Sequence, residues 1–158
     1  MEVTNAVNAS DDQIAEFFDT PEDGPFVMVN LLKFKPKAEY ADGSDPGISG
    51  AEAYGRYAAA VTRIIEGLGG RIVYGGVTTS LMLGQVDELW DSVGLVEYPS
   101  MAAFRAIVSS PEYAAISHHR TAGLAGQLNI RTKQGGSLRP AEMAAGSQRL
   151  TNSEPSGG

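Results

Sequence analysis

The residues of this chain best suited to chemistry are few, and the densest group of them is His118-His119-Arg120. An imidazole titrates near neutral pH and can move a proton, and a guanidinium beside it can hold an anionic group. His119 is therefore a candidate general acid or base, and Arg120 a candidate anion anchor. The alternative is a cationic last turn of a helix, which interacts favourably with the helix dipole.

Asn30 is the third candidate catalytic residue, because it interrupts the otherwise apolar run FVMVNLLKF at residues 26–34. A buried amide needs hydrogen-bond partners, and in an apolar pocket it can hold a substrate carbonyl or enolate oxygen. A structural asparagine that bonds the backbone at a strand bulge would give the same pattern. Both interpretations stay open on sequence alone.

Four aromatic residues with polar tips are candidate ligand-binding residues: Tyr54, Tyr57, Tyr74 and Trp90. Such side chains line apolar clefts that accept flat organic ligands. Tyr54 and Tyr57 lie at helical spacing and fit an ordinary helix core equally well.

Several site classes are not supported by the sequence. There is no cysteine, and the two adjacent histidines would point about 100° apart on a helix, so we predict no metal. A haem bound by one histidine lacks an evident apolar platform. Gly67-Leu68-Gly69-Gly70 follows a helix rather than opening one, which indicates a helix end and not a phosphate loop. We predict that the protein uses no cofactor.

Composition limits the partners. The 158 residues carry a net charge of -7 with a pI near 4.7, which argues against nucleic acid and anionic membrane surfaces. No apolar run has transmembrane length, and residues 1–5 lack the features of a signal peptide, so a cytoplasmic protein is expected. Residues 1–131 are predicted to form one domain. Residues 132–158 have no aromatic residue and no periodicity, and are predicted to be a disordered tail.

The elements that must position these residues follow from capping and periodicity. Capping boxes at Ser10–Gln13 and Ser49–Glu52 open two helices, and residues 36–50 between them include a long loop rich in glycine and proline. The remaining elements are strands at 26–34, from Arg71 through a bend at Gly75-Gly76 to Val86, at 90–98 and at 127–131, and helices after Ser100 and Ser110.

After the leading helix, the order is strand, helix, strand, strand, helix, strand, which predicts a ferredoxin-like β-α-β-β-α-β domain of the α+β class with an antiparallel sheet. Its helices cover one face of the sheet. The first strand is apolar on both faces, so the other face is predicted to pack against a twin sheet in a homodimer.

The segments FVMVNLLKF, YGRYAAAV, GGRIVYGG, LVEYPS and AFRAIVSSPEYAAISHHRTAGL resemble an uncharacterised family of the dimeric α+β barrel superfamily, the domain-of-unknown-function thirteen-thirty family. The resemblance covers about residues 12–131 and implies a dimeric α+β barrel. The superfamily is similar in shape to cofactor-free monooxygenases, haem-handling enzymes and isomerases. The expected function is a cofactor-independent oxygenase, isomerase or lyase acting on a small apolar organic molecule, or, alternatively, non-catalytic ligand binding or assembly.

Overall fold

One four-stranded antiparallel sheet, covered by helices on one face, organises the chain. The computed structural model describes residues 2–22 and 24–135. The strands lie in the order β2-β3-β1-β4, so the two central strands come from different halves of the chain. This is the predicted ferredoxin-like arrangement. The elements are α1 (Asp11–Asp19), β1 (Phe26–Phe34), α2 (Gly50–Gly67), β2 (Arg71–Val77), β3 (Ser92–Tyr98), α3 (Met101–Val108), α4 (Pro111–Gly123) and β4 (Leu124–Thr132).

Both predicted capping boxes are present. The Ser10 hydroxyl accepts from the Gln13 backbone N–H, and the Gln13 side chain accepts from the Ser10 N–H. Ser49 and Glu52 make the same pair at the start of α2. Each satisfies backbone donors that a helix start leaves free, which fixes where the helix begins.

The core lies between the helices and the inner face of the sheet. Phe26, Met28 and Leu32 alternate along β1 and are buried, and the first two pack in one cluster with Tyr57 and Val61 of α2. Burial of these apolar side chains supplies the main stabilisation of the domain. In the described part of the chain, no helix has the length and apolar character needed to cross a membrane.

The opposite side of the sheet, here called the outer face, consists of Val29, Leu31, Val93, Leu95 and Ile130. Strand register places these residues together, since Val29 pairs with Leu95 and with Ile130, and Leu31 pairs with Val93. No helix of the described chain covers them, and they are half-buried or exposed.

The predicted second and third strands were too long. β2 ends at Val77 and β3 begins at Ser92, and the last hydrogen bond between the two segments runs from the Thr78 N–H to the Asp91 carbonyl (2.9 Å). The irregularity in β2 lies between Ile72 and Tyr74, not at the predicted glycine pair. Apolar residues beyond Val77 therefore belong to a loop.

The last strand is longer than predicted, because β4 starts at Leu124 directly after α4 and runs through Thr132. Most of the predicted disordered tail, residues 136–158, lies outside the described residues.

Candidate functional site

A cavity of about 520 Å³ lies between the inner face of the sheet, helices α1 to α4 and residues 4–9 at the N-terminus. Its wall is mainly apolar and aromatic, with Phe17, Val61 and Phe104 among the lining side chains. Such a cavity accepts a small organic molecule, and its few polar groups decide how that molecule is oriented.

Three polar side chains form a hydrogen-bonded chain along one wall of this cavity. The Arg120 guanidinium donates from Nη2 to Gln127 Oε1 (2.8 Å), and Gln127 Nε2 donates to Asn30 Oδ1 (2.9 Å). Asn30 Nδ2 in turn donates to the carbonyls of Met28 and Gly94, each at 3.2 Å. Every member is therefore held in one orientation by the next.

Arg120 is the one charged residue among those that line the cavity. Four ion pairs occur among residues 2–22 and 24–135, and none involves Arg120. A guanidinium has five N–H donors, and the bond to Gln127 uses one of them. A cation in a mainly apolar wall without a carboxylate partner favours an anionic group of a ligand.

Tyrosine hydroxyls supply further polar groups, beside the side chains of Thr4, Asn8, Gln13 and Asn129 in the lining. The Tyr57 hydroxyl donates to the Tyr113 hydroxyl (3.4 Å), and Tyr54 packs on Tyr57 with ring centroids 5.4 Å apart. Burial raises the pKa of Tyr54 to about 12, against a smaller opposing effect of the Arg120 charge. Burial also raises the pKa of Tyr57 and Tyr98. These phenols stay protonated at neutral pH and act as hydrogen-bond donors.

Two glycines bring the site-bearing helices together. Gly50 at the start of α2 and Gly123 at the end of α4 face each other, and a Cβ at Gly123 would lie 2.8 Å from the Tyr54 backbone nitrogen. The Lys35 N–H donates to the Gly123 carbonyl (2.9 Å), which fixes the end of α4 against the end of β1. This close approach brings Tyr54 and Arg120 to the same cavity.

His119 lies apart from Asn30 and Arg120. Its Nδ1 is 2.7 Å from the Tyr40 hydroxyl, in the loop between β1 and α2, and Arg56 from α2 lies near that hydroxyl at 3.5 Å. Consecutive helical residues point about 100° apart, so Arg120 enters the cavity while His119 faces this loop. Burial, followed by the charges of His118 and Arg56, lowers the pKa of His119.

Of the four aromatic candidates, two lie at the cavity and two lie elsewhere. Tyr54 and Tyr57 line the cavity, whereas Tyr74 and Trp90 do not. Tyr74 is 55% exposed and lies opposite Leu95 in the β2–β3 register. The Trp90 indole donates from Nε1 to Asn5 Oδ1 (2.7 Å) and so ties the N-terminal segment to the loop before β3.

Sequence reasoning missed Gln127 and Tyr113. Gln127 is 7% exposed and uses both ends of its amide, and Tyr113 shares a face of α4 with Arg120, seven residues later. The sequence already shows the seven-residue spacing between Tyr113 and Arg120. That spacing would have placed Arg120 on the face of α4 that carries Tyr113, and His119 on another face. Nothing in the sequence marks Gln127, because its burial depends on its pairing with Leu32 in the next strand.

The N-terminal segment closes the cavity from the side of β4. Ala6 and Gln127 exchange two backbone hydrogen bonds of 3.1 and 2.9 Å, which adds a single bridge to the edge of the sheet. Residues of this segment and of α1, including Val7, Ile14 and Phe18, contribute to the lining. Among the described residues, no group of three or more histidine and acidic side chains is placed to hold a metal ion.

Comparison with known proteins gives a family and two similar crystal structures. Residues 46–132 match the family described as a domain of unknown function, DUF1330. The crystal structure of methylated RPA0582 protein is 34% identical, with a TM-score of 0.78, and the alignment covers 87% of this chain and 100% of that one. A second structure, of the RPA0582 protein of unknown function from Rhodopseudomonas palustris, has the same identity and coverage and a TM-score of 0.75.

Other solved structures resemble this chain less closely. SnoaB from Streptomyces nogalater, a cofactor-independent oxygenase, is 14% identical with a TM-score of 0.47, covering 75% of this chain and 100% of that one. No protein with a curated description matches the chain. The family match spans more than half of the sequence, and the chain therefore belongs to the DUF1330 family.

Proposed function

We propose that this protein binds a small, mainly apolar organic acid in the cavity, with the acid group on Arg120 and the apolar body against the aromatic wall. The observation that carries the proposal is the single cationic side chain in a lining that otherwise has no charge. Gln127 and Asn30 hold the guanidinium in place, so binding an anion would cost little reorganisation.

The size and chemistry of the wall support a ligand with one or two rings. Phe17, Val61, Phe104 and Ile107 offer apolar contact, and the Tyr54 hydroxyl offers a neutral donor. A compact aromatic acid would place its rings against this apolar wall and its charge on Arg120.

The test is thermal stabilisation by naphthalene-2-carboxylate against its neutral amide, naphthalene-2-carboxamide. A ligand at 100 times its Kd raises the free energy of unfolding by about 2.7 kcal/mol. We expect the acid to stabilise the wild type and Arg120→Met to remove this effect. Arg63→Met is the matched control, since Arg63 is exposed on α2 and outside the lining. Equal responses of Arg120→Met and Arg63→Met would contradict the proposal.

A cofactor-independent enzyme is the second candidate function. The protonated phenol of Tyr54, together with Arg120, could stabilise an enolate or phenolate that forms on the ligand. The lining contains no histidine and no carboxylate to remove a proton, so the reaction would need a substrate acidic enough to ionise by itself. Dioxygen uptake with a naphthalenediol, faster than without protein and lost in Arg120→Met, would support this candidate.

We also propose that the protein is a homodimer through the outer face of the sheet. This face is apolar at its centre, and ion pairs lie at both ends of the strands: Arg71 to Glu97 (2.8 Å) and Lys33 to Asp91 (3.3 Å). An apolar centre with a polar rim is the usual anatomy of a protein interface. Sedimentation velocity should give a dimer at micromolar concentration, and a monomer there would refute the proposal.

A further inference from the structure

Three tyrosines, Tyr57, Tyr98 and Tyr113, line the cavity and are here called the phenol cluster. The Ser110 hydroxyl caps α4 and places Tyr113 in its first turn, seven residues before Arg120. Seven residues of helix rise about 10 Å. The phenol cluster and the guanidinium therefore lie toward opposite ends of the cavity.

Tyr98 is held rigidly in this cluster by its neighbours in the core. Its ring stacks on Phe26, with centroids 5.5 Å apart, and meets the Phe104 ring edge-on at 4.9 Å. Burial, followed by the Tyr113 and Tyr54 phenols, raises the pKa of Tyr98. The Arg120 charge opposes the corresponding rise in pKa at Tyr54 and Tyr57 but not at Tyr98, which agrees with a position remote from the guanidinium.

The cluster has more hydrogen-bond donors than acceptors that use them. Tyr98 is only 8% exposed, and its hydroxyl has no hydrogen-bond partner among residues 2–22 and 24–135. The Tyr57 and Tyr113 hydroxyls are 3.4 Å apart, and a bond between them uses one of their two protons. Two buried O–H groups are therefore left without an acceptor in the described chain, which is unfavourable unless a bound molecule supplies one.

The chemistry of the cluster selects the kind of atom that it binds. A carbonyl oxygen has two lone pairs and can accept from two hydroxyls at once. A second anionic group would be buried here without a cation, since the charged residue of the described lining, Arg120, lies at the other end. An uncharged acceptor oxygen therefore fits the cluster better than a carboxylate.

We propose that the hydroxyls of Tyr98 and Tyr113 form a second polar subsite, which binds a carbonyl oxygen at the end of the ligand remote from its acid group. This inference rests on the proposed function and narrows its ligand class to an elongated aromatic keto acid. The acid group contacts Arg120, the rings lie against the apolar wall, and the ketone accepts from the two phenols.

The first test compares the Kd of 6-acetylnaphthalene-2-carboxylate with that of 6-isopropenylnaphthalene-2-carboxylate by isothermal titration calorimetry. The second acid has the same shape, with a methylene group in place of the ketone oxygen. We expect the wild type to bind the ketone about tenfold more tightly, as for one or two neutral hydrogen bonds in a preformed site.

Tyr98→Phe should reduce this preference below about threefold, and Tyr98→Phe/Tyr113→Phe should abolish it. Phenylalanine keeps the ring contacts of Tyr98, and the lost hydroxyl has no partner in the described chain, so Tyr98→Phe should be at least as stable as the wild type in urea. Tyr74→Phe is the matched control, because Tyr74 is 55% exposed and outside the lining, and it should keep the full preference.

The second test detects the hydrogen bond itself. The ketone of the bound ligand, labelled with carbon-13, is followed by difference infrared spectroscopy. A carbonyl that accepts hydrogen bonds absorbs at lower wavenumber, so the band should lie lower in the wild type than in Tyr98→Phe/Tyr113→Phe. Equal band positions in the two proteins would overturn the subsite.

The neutral pair 2-acetylnaphthalene and 2-isopropenylnaphthalene separates the subsite from the proposed function. A preference for the ketone in this pair, without any effect of Arg120→Met on the acids, overturns the anion site and leaves the subsite. Binding of the acids through Arg120 with equal Kd for ketone and alkene overturns only the subsite, and this is the result expected if the phenols keep a bound water instead. Failure of all four compounds to bind overturns both.

Discussion

Replacing Gln127 with methionine keeps the length and shape of the side chain and removes both of its hydrogen bonds. The bond from the Arg120 guanidinium is charge-assisted and contributes about 1.5–3 kcal/mol, and the bond to Asn30 about 0.5–1.5 kcal/mol. The expected loss in free energy of unfolding is therefore about 2–4.5 kcal/mol. At roughly 4 °C per kcal/mol for a domain of this size, Tm should fall by about 8–18 °C.

Urea denaturation followed by tryptophan fluorescence measures this loss, and an unchanged m value would show that the two-state transition is retained. The matched control is Glu66→Met, which makes a similar change at an exposed position of α2 outside the cavity lining and should cost less than about 0.5 kcal/mol. A loss below about 1 kcal/mol in Gln127→Met, or a loss equal to that of Glu66→Met, would refute the stabilising role of the hydrogen-bonded side chains.

A double-mutant cycle that combines Gln127→Met with Arg120→Met tests whether the hydrogen-bonded side chains act as a unit. If Arg120 and Gln127 depend on each other, the double variant should cost less than the sum of the single variants by about 0.5–3 kcal/mol. Strict additivity would mean that the two side chains stabilise the fold independently, contrary to the geometry of their contact.

Three further predictions concern the surroundings of the cavity. Gly123→Ala should destabilise the protein by about 1–3 kcal/mol in urea, since a Cβ there would lie 2.8 Å from the Tyr54 nitrogen; an unchanged midpoint would contradict the close approach. The lowered pKa of His119 means that the unfolded chain binds its proton more readily, so stability should fall as the pH drops below about 6.5; His119→Gln should reduce this dependence, and an identical slope would count against it. Trp90→Phe removes the bond to Asn5 and should speed amide exchange in residues 2–9 by about fivefold, with exchange unaffected in α2 as the control.

Local elements were predictable because their signals are local. The capping boxes fixed the starts of α1 and α2, and the apolar run, interrupted only by Asn30 and Lys33, fixed β1 at Phe26–Phe34. The end of β2 was not predictable, since Leu81 to Leu83 continue its apolar pattern. Strand length depends on the pairing partner, and the ladder to β3 closes at Thr78 and Asp91.

The candidate site was predictable only in part. Asn30, Arg120, Tyr54 and Tyr57 meet at one cavity, as a run-breaking amide and residues on helix faces can be expected to do. His119 stands next to Arg120 in sequence and yet faces the loop at Tyr40. Adjacency along a helix separates side chains, whereas spacings of three, four and seven residues bring them together.

By itself, the sequence determined the class of the fold and the residues of the sheet that would need covering, because periodicity and capping act over a few residues. Only the tertiary structure decided which side chains line the cavity. Gln127 joins Arg120 to Asn30 only because β4 pairs with β1 in a register that turns its amide inward. A contact across 97 residues of chain depends on register and helix packing, and neither is encoded in any short segment.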